Sequence, residues 1–161
     1  MKKDSTGLRY LTRSAVIAAV YTLLTLLWPL SFGSIQIRLS EALCVLPLFT
    51  PAAIPGLFAG CLLSGLLSGA VWIDVAAGSL TTLLAAFLTR KLSKTRFALL
   101  PPVALNAAVT GTVVHFAYTG NPSLALWPFT VLSVGIGEAA AVYGLGSCLR
   151  LALGKLPASF W

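Results

Sequence analysis

Ala42 to Ile73 reads ALCVLPLFTPAAIPGLFAGCLLSGLLSGAVWI and contains no charged residue. It is too long for a single membrane-crossing helix, which needs about 20 apolar residues. Thr50, Pro51 and Pro55 interrupt it, so it is read as two segments folding back on each other. The rest of the chain repeats the pattern. Of its 161 residues, 58% are apolar and 9% charged, and the mean hydropathy is +0.93. A soluble domain carries about 25% charged residues. So few charges cannot cover a soluble globule, and a disordered tail or a disulfide scaffold is excluded as well. The fold class is an all-α integral membrane protein.

Six spans are expected, at about 11–30, 39–50, 53–70, 74–90, 99–118 and 126–150, forming a single transmembrane domain over residues 1–161. The basic residues set the orientation. Ten of the eleven fall in three short segments: Lys2 to Arg13, Arg90 to Arg96, and Arg150 with Lys155. Six spans place all three segments on one side, the cytoplasm, with both termini. The opposite loops, Ser31–Arg38, Gly69–Asp74 and Thr119–Ser123, hold only Arg38 among basic residues. A net charge of +7 distributed in this way marks membrane topology rather than nucleic-acid binding. The basic, apolar N-terminus lacks a clear cleavage site and is read as a retained first span.

Cys44, Cys61 and Cys148 lie far apart in apolar runs and read as small buried hydrophobes. No metal-ligand spacing accompanies them, and no metal or cofactor is expected. The loops are too short for an ATPase, and no phosphate-binding G-x-x-x-x-G-K-[ST] motif occurs. With neither H-E-x-x-H nor G-x-S-x-G present, a membrane enzyme is disfavoured and a carrier is expected.

A charge at membrane depth costs about 2.5–3.5 kcal/mol on insertion scales. Arg38, Glu41, Asp74 and Glu138 therefore need reasons, as do their polar companions Asn106 and His115. Glu138, flanked by Gly135 and Gly137, reads as a ligand-binding carboxylate or proton relay, or else as a protonated interhelical hydrogen-bond partner. Arg38 and Glu41 sit three apart, as an interfacial ion pair or as part of an outward-facing pocket. Asp74 either caps a helix or lines that pocket. Asn106 suits the edge of a heterocycle or an interhelical bond. His115 is expected to be structural. Trp72 and Trp127, with Trp28, form an aromatic belt or stack on a planar ligand. Ala15 and Ala19, Gly56 and Gly60, and Gly65 and Gly69 each make a small-x-x-x-small face that permits close helix approach.

Five segments together carry a resemblance. They are IQIRLSEALCVLP at 35–47, PAAIPGLFAGCLLSGLL at 51–67, DVAAGSLTTLLAAFLTRKL at 74–92, LPPVALNA at 100–107, and Gly137-Glu138. The chain resembles the QueT-type family of queuosine-precursor transporters, substrate-binding S components of energy-coupling factor (ECF) transporters. The resemblance implies a six-helix bundle in the cytoplasmic membrane of a bacterium, and as substrate a deazaguanine such as prequeuine or queuine. It also implies docking on a module of one transmembrane coupling protein and two ABC-type ATPases. Ala15 and Ala19 match the first-helix docking face, and Ser31 to Ile37 the gate loop. With Glu138 on the guanine-like edge, the candidate contacts become Glu41, Asp74, Asn106, Arg38, Trp72 and Trp127. An autonomous secondary carrier for a small heterocycle is the alternative.

Overall fold

The computed structural model describes residues 2–28, 38–118 and 123–155. Among them there are helices and turns but no strand. The expected gate loop at 31–37 lies outside the described residues.

Four helices are long and apolar enough to cross a membrane: α1 (Lys2–Leu27), α3 (Trp72–Lys91), α4 (Leu100–Tyr118) and α5 (Trp127–Leu153). Between α1 and α3 lie two shorter apolar elements, a 3₁₀ helix over Leu39–Leu48 and α2 over Ala53–Leu67. At 2.0 Å per residue the 3₁₀ helix is about 20 Å long, and α2 at 1.5 Å per residue is about 22 Å. Both fall short of the roughly 30 Å hydrocarbon core. The 3₁₀ winding stretches a ten-residue segment that would reach only about 15 Å as an α-helix.

The helices are polar on the inside. On α3 the buried face is Asp74, Val75, Gly78, Ser79, Thr82, Ala85, Ala86 and Thr89, at helical spacing, while Leu80, Leu84 and Phe87 point outward. Small and hydroxyl-bearing residues pack where helices meet, and the large apolar ones face what would be lipid.

Gly56 and Gly60 on α2 bring its backbone against α1. A Cβ at Gly56 would sit 2.8 Å from the Ser14 carbonyl, and one at Gly60 2.7 Å from the Tyr21 Cβ. The Thr22 hydroxyl adds a bond to the Gly60 carbonyl at 3.2 Å. Gly65 packs on Val75, but Gly69 meets nothing within 4 Å. Gly69 is not a packing glycine. Its φ of +70° closes α2, with the Ala70 N–H bonding the Gly65 carbonyl at 3.2 Å and the Gly69 N–H the Leu66 carbonyl at 3.4 Å.

The elbow between the 3₁₀ helix and α2 is tied down from two sides. Arg90 Nη1 donates to the Pro47 and Leu48 carbonyls at 3.1 and 3.3 Å, and the Ser14 hydroxyl donates to the Ala52 carbonyl at 2.9 Å. Both long C-terminal helices contain a π stretch, Asn106–Thr110 in α4 and Ala140–Leu145 in α5. Such insertions shift the side-chain register along a helix and recur at functional sites.

Candidate functional site: a buried carboxylate cluster

The 3₁₀ helix turns once per three residues, so Glu41 and Cys44 eclipse one another. The Cys44 thiol donates to Glu41 Oε2 at 3.0 Å. Asn106, the first residue of the π stretch in α4, donates its Nδ2 to the same oxygen at 3.4 Å. The other oxygen, Oε1, accepts the hydroxyl of Tyr21 from α1. Three donors from three helices thus converge on one fully buried carboxylate. One turn further along α1, the Thr25 hydroxyl reaches Ser40 Oγ at 2.7 Å and fixes the start of the 3₁₀ helix.

Glu138 belongs to the same neighbourhood. It is buried on α5 just ahead of the second π stretch, in electrostatic range of Glu41 and Arg38. Its Oε2 is buried and makes no hydrogen bond. A buried carboxyl oxygen that makes no hydrogen bond is expensive to leave bare. Glu41 is saturated by protein donors, whereas Glu138 keeps an open acceptor.

Arg38 precedes the 3₁₀ helix in extended conformation, with φ −99° and ψ 107°. Its guanidinium reaches across to Asp74 Oδ2 at 3.9 Å, an ion pair with α3, and Glu41 lies in electrostatic range of the same group. Asp74 does not cap its helix. Val71 occupies the N-cap position without a side-chain bond, and Asp74 Oδ2 instead accepts the Tyr118 hydroxyl at 2.9 Å. Tyr118 in turn accepts the Val71 N–H at 3.2 Å, joining the end of α4 to the start of α3.

The two tryptophans stay apart from this cluster. Trp72 is 77% exposed, and the Trp127 indole N–H bonds Thr112 Oγ1 at 3.1 Å. His115 is fully buried between α4 and α5, with Nε2 3.1 Å from the Ser123 carbonyl and Nδ1 3.0 Å from Thr130 Oγ1. A carbonyl only accepts, so Nε2 carries a proton, and both ring nitrogens are used in packing. Ala15 and Ala19 are exposed on the side of α1 away from α2. Cys44 and Cys61 are buried, but Cys148 is exposed, contrary to the expectation for all three.

The family model described as QueT transporter matches residues 11–155. The chain belongs to the QueT transporter family. Queuosine precursor transporter QueT of Lactococcus lactis subsp. cremoris (strain MG1363) is 40% identical over 72 residues, which cover 43% of this chain and 42% of that relative. The aligned part therefore spans less than half of the relative's length. No solved structure matches. Family membership and the four long apolar helices make this a multi-pass membrane protein of a transporter family.

Within this QueT-family fold, of the residues singled out from sequence, Asn106 bonds Glu41 and Arg38 pairs with Asp74, while Glu138 lies in electrostatic range of Glu41 and Arg38. Sequence reasoning missed Tyr21 and Tyr118, which supply the hydroxyls to Glu41 and Asp74. Tyr21 carried a signal: Ser14, Ala18, Tyr21, Thr22 and Thr25 make a buried stripe at helical spacing on α1. Tyr118 had none, because its partner lies 44 positions away.

Proposed function

We propose that this chain is the substrate-binding S component of an ECF-type importer for a deazaguanine precursor of queuosine. The observation that carries the reading is the open, buried Oε2 of Glu138 beside the Glu41–Asn106 hub, in a member of the QueT transporter family. A guanine-like edge offers adjacent N–H donors, which a carboxylate accepts in a bidentate way. Glu138 takes that edge. Glu41 acts through Asn106, holding the amide where it can face the ring's polar rim.

On this reading six helical segments cross the membrane, with both termini cytoplasmic. The site loads from outside. The chain then docks on a coupling protein and two ATPases through the exposed Ala15–Ala19 face and delivers its ligand inward, with ATP hydrolysis by the partners resetting it. The thin elbow at 49–52 supports the assignment of the 3₁₀ helix and α2 as a short crossing pair.

The deciding experiment is calorimetry on the purified protein with a panel of deazaguanines and ordinary vitamins. Tight, selective binding of one deazaguanine is expected. Binding of an unrelated vitamin alone, or of nothing, defeats the assignment. The buried carboxylates favour one rival, an autonomous carrier with Glu138 as proton site. Uptake into vesicles that lack any ATPase, abolished by an uncoupler, would establish that rival instead.

A further inference from the structure

Three of the chain's four acidic residues, Glu41, Asp74 and Glu138, are buried in the bundle, and Arg38 lies among them. Ten basic residues then remain against Asp4. The fold gathers their three segments at one end of the bundle, around the elbow between the 3₁₀ helix and α2. From α1, the Tyr10 hydroxyl between Arg9 and Arg13 donates to the Pro51 carbonyl at 3.5 Å. From the end of α3, Arg90 donates to the Pro47 and Leu48 carbonyls. From α5, Gly146 packs on the 3₁₀ helix, where a Cβ would sit 2.9 Å from Val45 Cγ1. Glu138 is in electrostatic range of Glu41, so α5 runs beside the 3₁₀ helix in the same direction. Arg150 follows one turn after Gly146, and Lys155 lies just past the helix end.

The turn after α3 is fixed by its own backbone. The Leu92 N–H bonds the Leu88 carbonyl at 2.8 Å, and the Thr95 N–H and hydroxyl bond the Leu92 carbonyl at 2.8 and 2.9 Å. It presents Lys91, Lys94 and Arg96, all exposed. The Arg96 guanidinium stacks on the Phe97 ring, 4.9 Å from its centroid. Phe97 is 53% exposed and Leu100 47%. Three cations held in one turn repel each other, and an anion between them offsets that repulsion. We propose that this turn holds the headgroup of an anionic phospholipid, its phosphate on Lys91, Lys94 and Arg96. Ammonium and guanidinium groups bind a phosphate by charge-assisted hydrogen bonds. The apolar pair selects the occupant. Phe97 and Leu100 continue the lipid-facing surface of the helices, which sets the cations at headgroup level with the acyl chains alongside. An acidic protein segment would meet the cations but have no use for Phe97 and Leu100.

The test is native mass spectrometry on the full-length protein, delipidated in a neutral detergent and titrated with phosphatidylglycerol or with phosphatidylcholine of the same chains. Wild type is expected to bind the anionic lipid about ten- to hundredfold more tightly than the zwitterionic one. Lys91→Gln, Lys94→Gln and Arg96→Gln together should bring the two within about twofold. Arg9→Gln, Arg150→Gln and Lys155→Gln together should leave the preference within about threefold of wild type. Lys94→Gln alone, at an exposed position in the turn, should cost about fivefold, and it carries the test if the first triple variant fails to fold. A wild type without the preference, or an equal loss in both triple variants, overturns the site; the second result would mean a diffuse field. Binding of a poly-glutamate peptide that phosphatidylglycerol does not displace also overturns it, in favour of an acidic protein partner. None of these outcomes touches the deazaguanine reading.

Discussion

The Tyr21 hydroxyl donates to Glu41 Oε1 across the junction of α1 and the 3₁₀ helix, and both side chains are completely buried. Because Glu41 Oε2 takes Cys44 and Asn106, this single carboxylate ties α1 and α4 to the 3₁₀ helix. Tyr21→Phe keeps the ring that packs on Gly60 but removes one donor from a buried carboxyl group. The expected loss is about 1–3 kcal/mol, read as a lower melting temperature in detergent. Glu41→Ala should cost more, because it strands three buried donors, whereas Tyr21→Phe leaves one acceptor oxygen unpaired. A Tyr21→Phe protein that melts with the wild type would show that the hydroxyl contributes nothing.

Glu138→Gln tests the open carboxylate. The amide keeps the volume but puts N–H donors where a carboxyl oxygen would accept the ligand's edge. Deazaguanine affinity should fall about ten- to hundredfold, while the melting temperature holds or rises. Unchanged affinity would take Glu138 out of the site.

The glycine contacts predict a contrast. Gly60→Ala forces a methyl group against the Tyr21 Cβ and the Ala18 carbonyl, at 2.7 and 2.9 Å. Two packed backbones must separate, at a cost of about 1–3 kcal/mol. Gly144→Ala meets nothing within 4 Å and should be neutral or slightly stabilising. Thermal melts of the two variants under identical conditions check this, and equal behaviour would contradict it.

His115 uses both ring nitrogens to hold α4 to Ser123 and Thr130. His115→Ala should lower stability by about 1–3 kcal/mol through the stranded partners and the vacated volume, while leaving ligand affinity unchanged in the fraction that folds. A selective loss of affinity at full stability would place the imidazole in the ligand site instead.

The exposed Ala15 and Ala19 face predicts a separation of functions. Ala15→Leu with Ala19→Leu should leave deazaguanine binding to the isolated chain intact. On the proposed S-component reading, the same pair should abolish co-purification with a coupling protein and its ATPases, and with it uptake. Retained assembly would move the docking surface elsewhere.

The membrane class and the four long apolar helices were legible in the sequence, because they depend on composition. Burying an unpaired charge in lipid is so costly that a long uncharged run reads as a membrane-crossing helix. The same penalty singled out Arg38, Glu41, Asp74 and Glu138, because each charge inside the bundle requires a partner or a task. Gly56 and Gly60 were legible as a close helix contact for a related reason: only small residues let two backbones approach.

Pairing was decided by the tertiary structure. Arg38 and Glu41 are three apart, yet Arg38 lies in extended backbone before a 3₁₀ helix and turns to Asp74. Gly69 matched a packing motif but closes a helix, because its contacts depend on where α2 ends. Tyr21 and Tyr118 reach carboxylates 20 and 44 positions away. The charges in the interior could be predicted from the energy of burying them. Which carboxylate is saturated and which keeps an open oxygen depends on long-range geometry, and only the folded chain sets that.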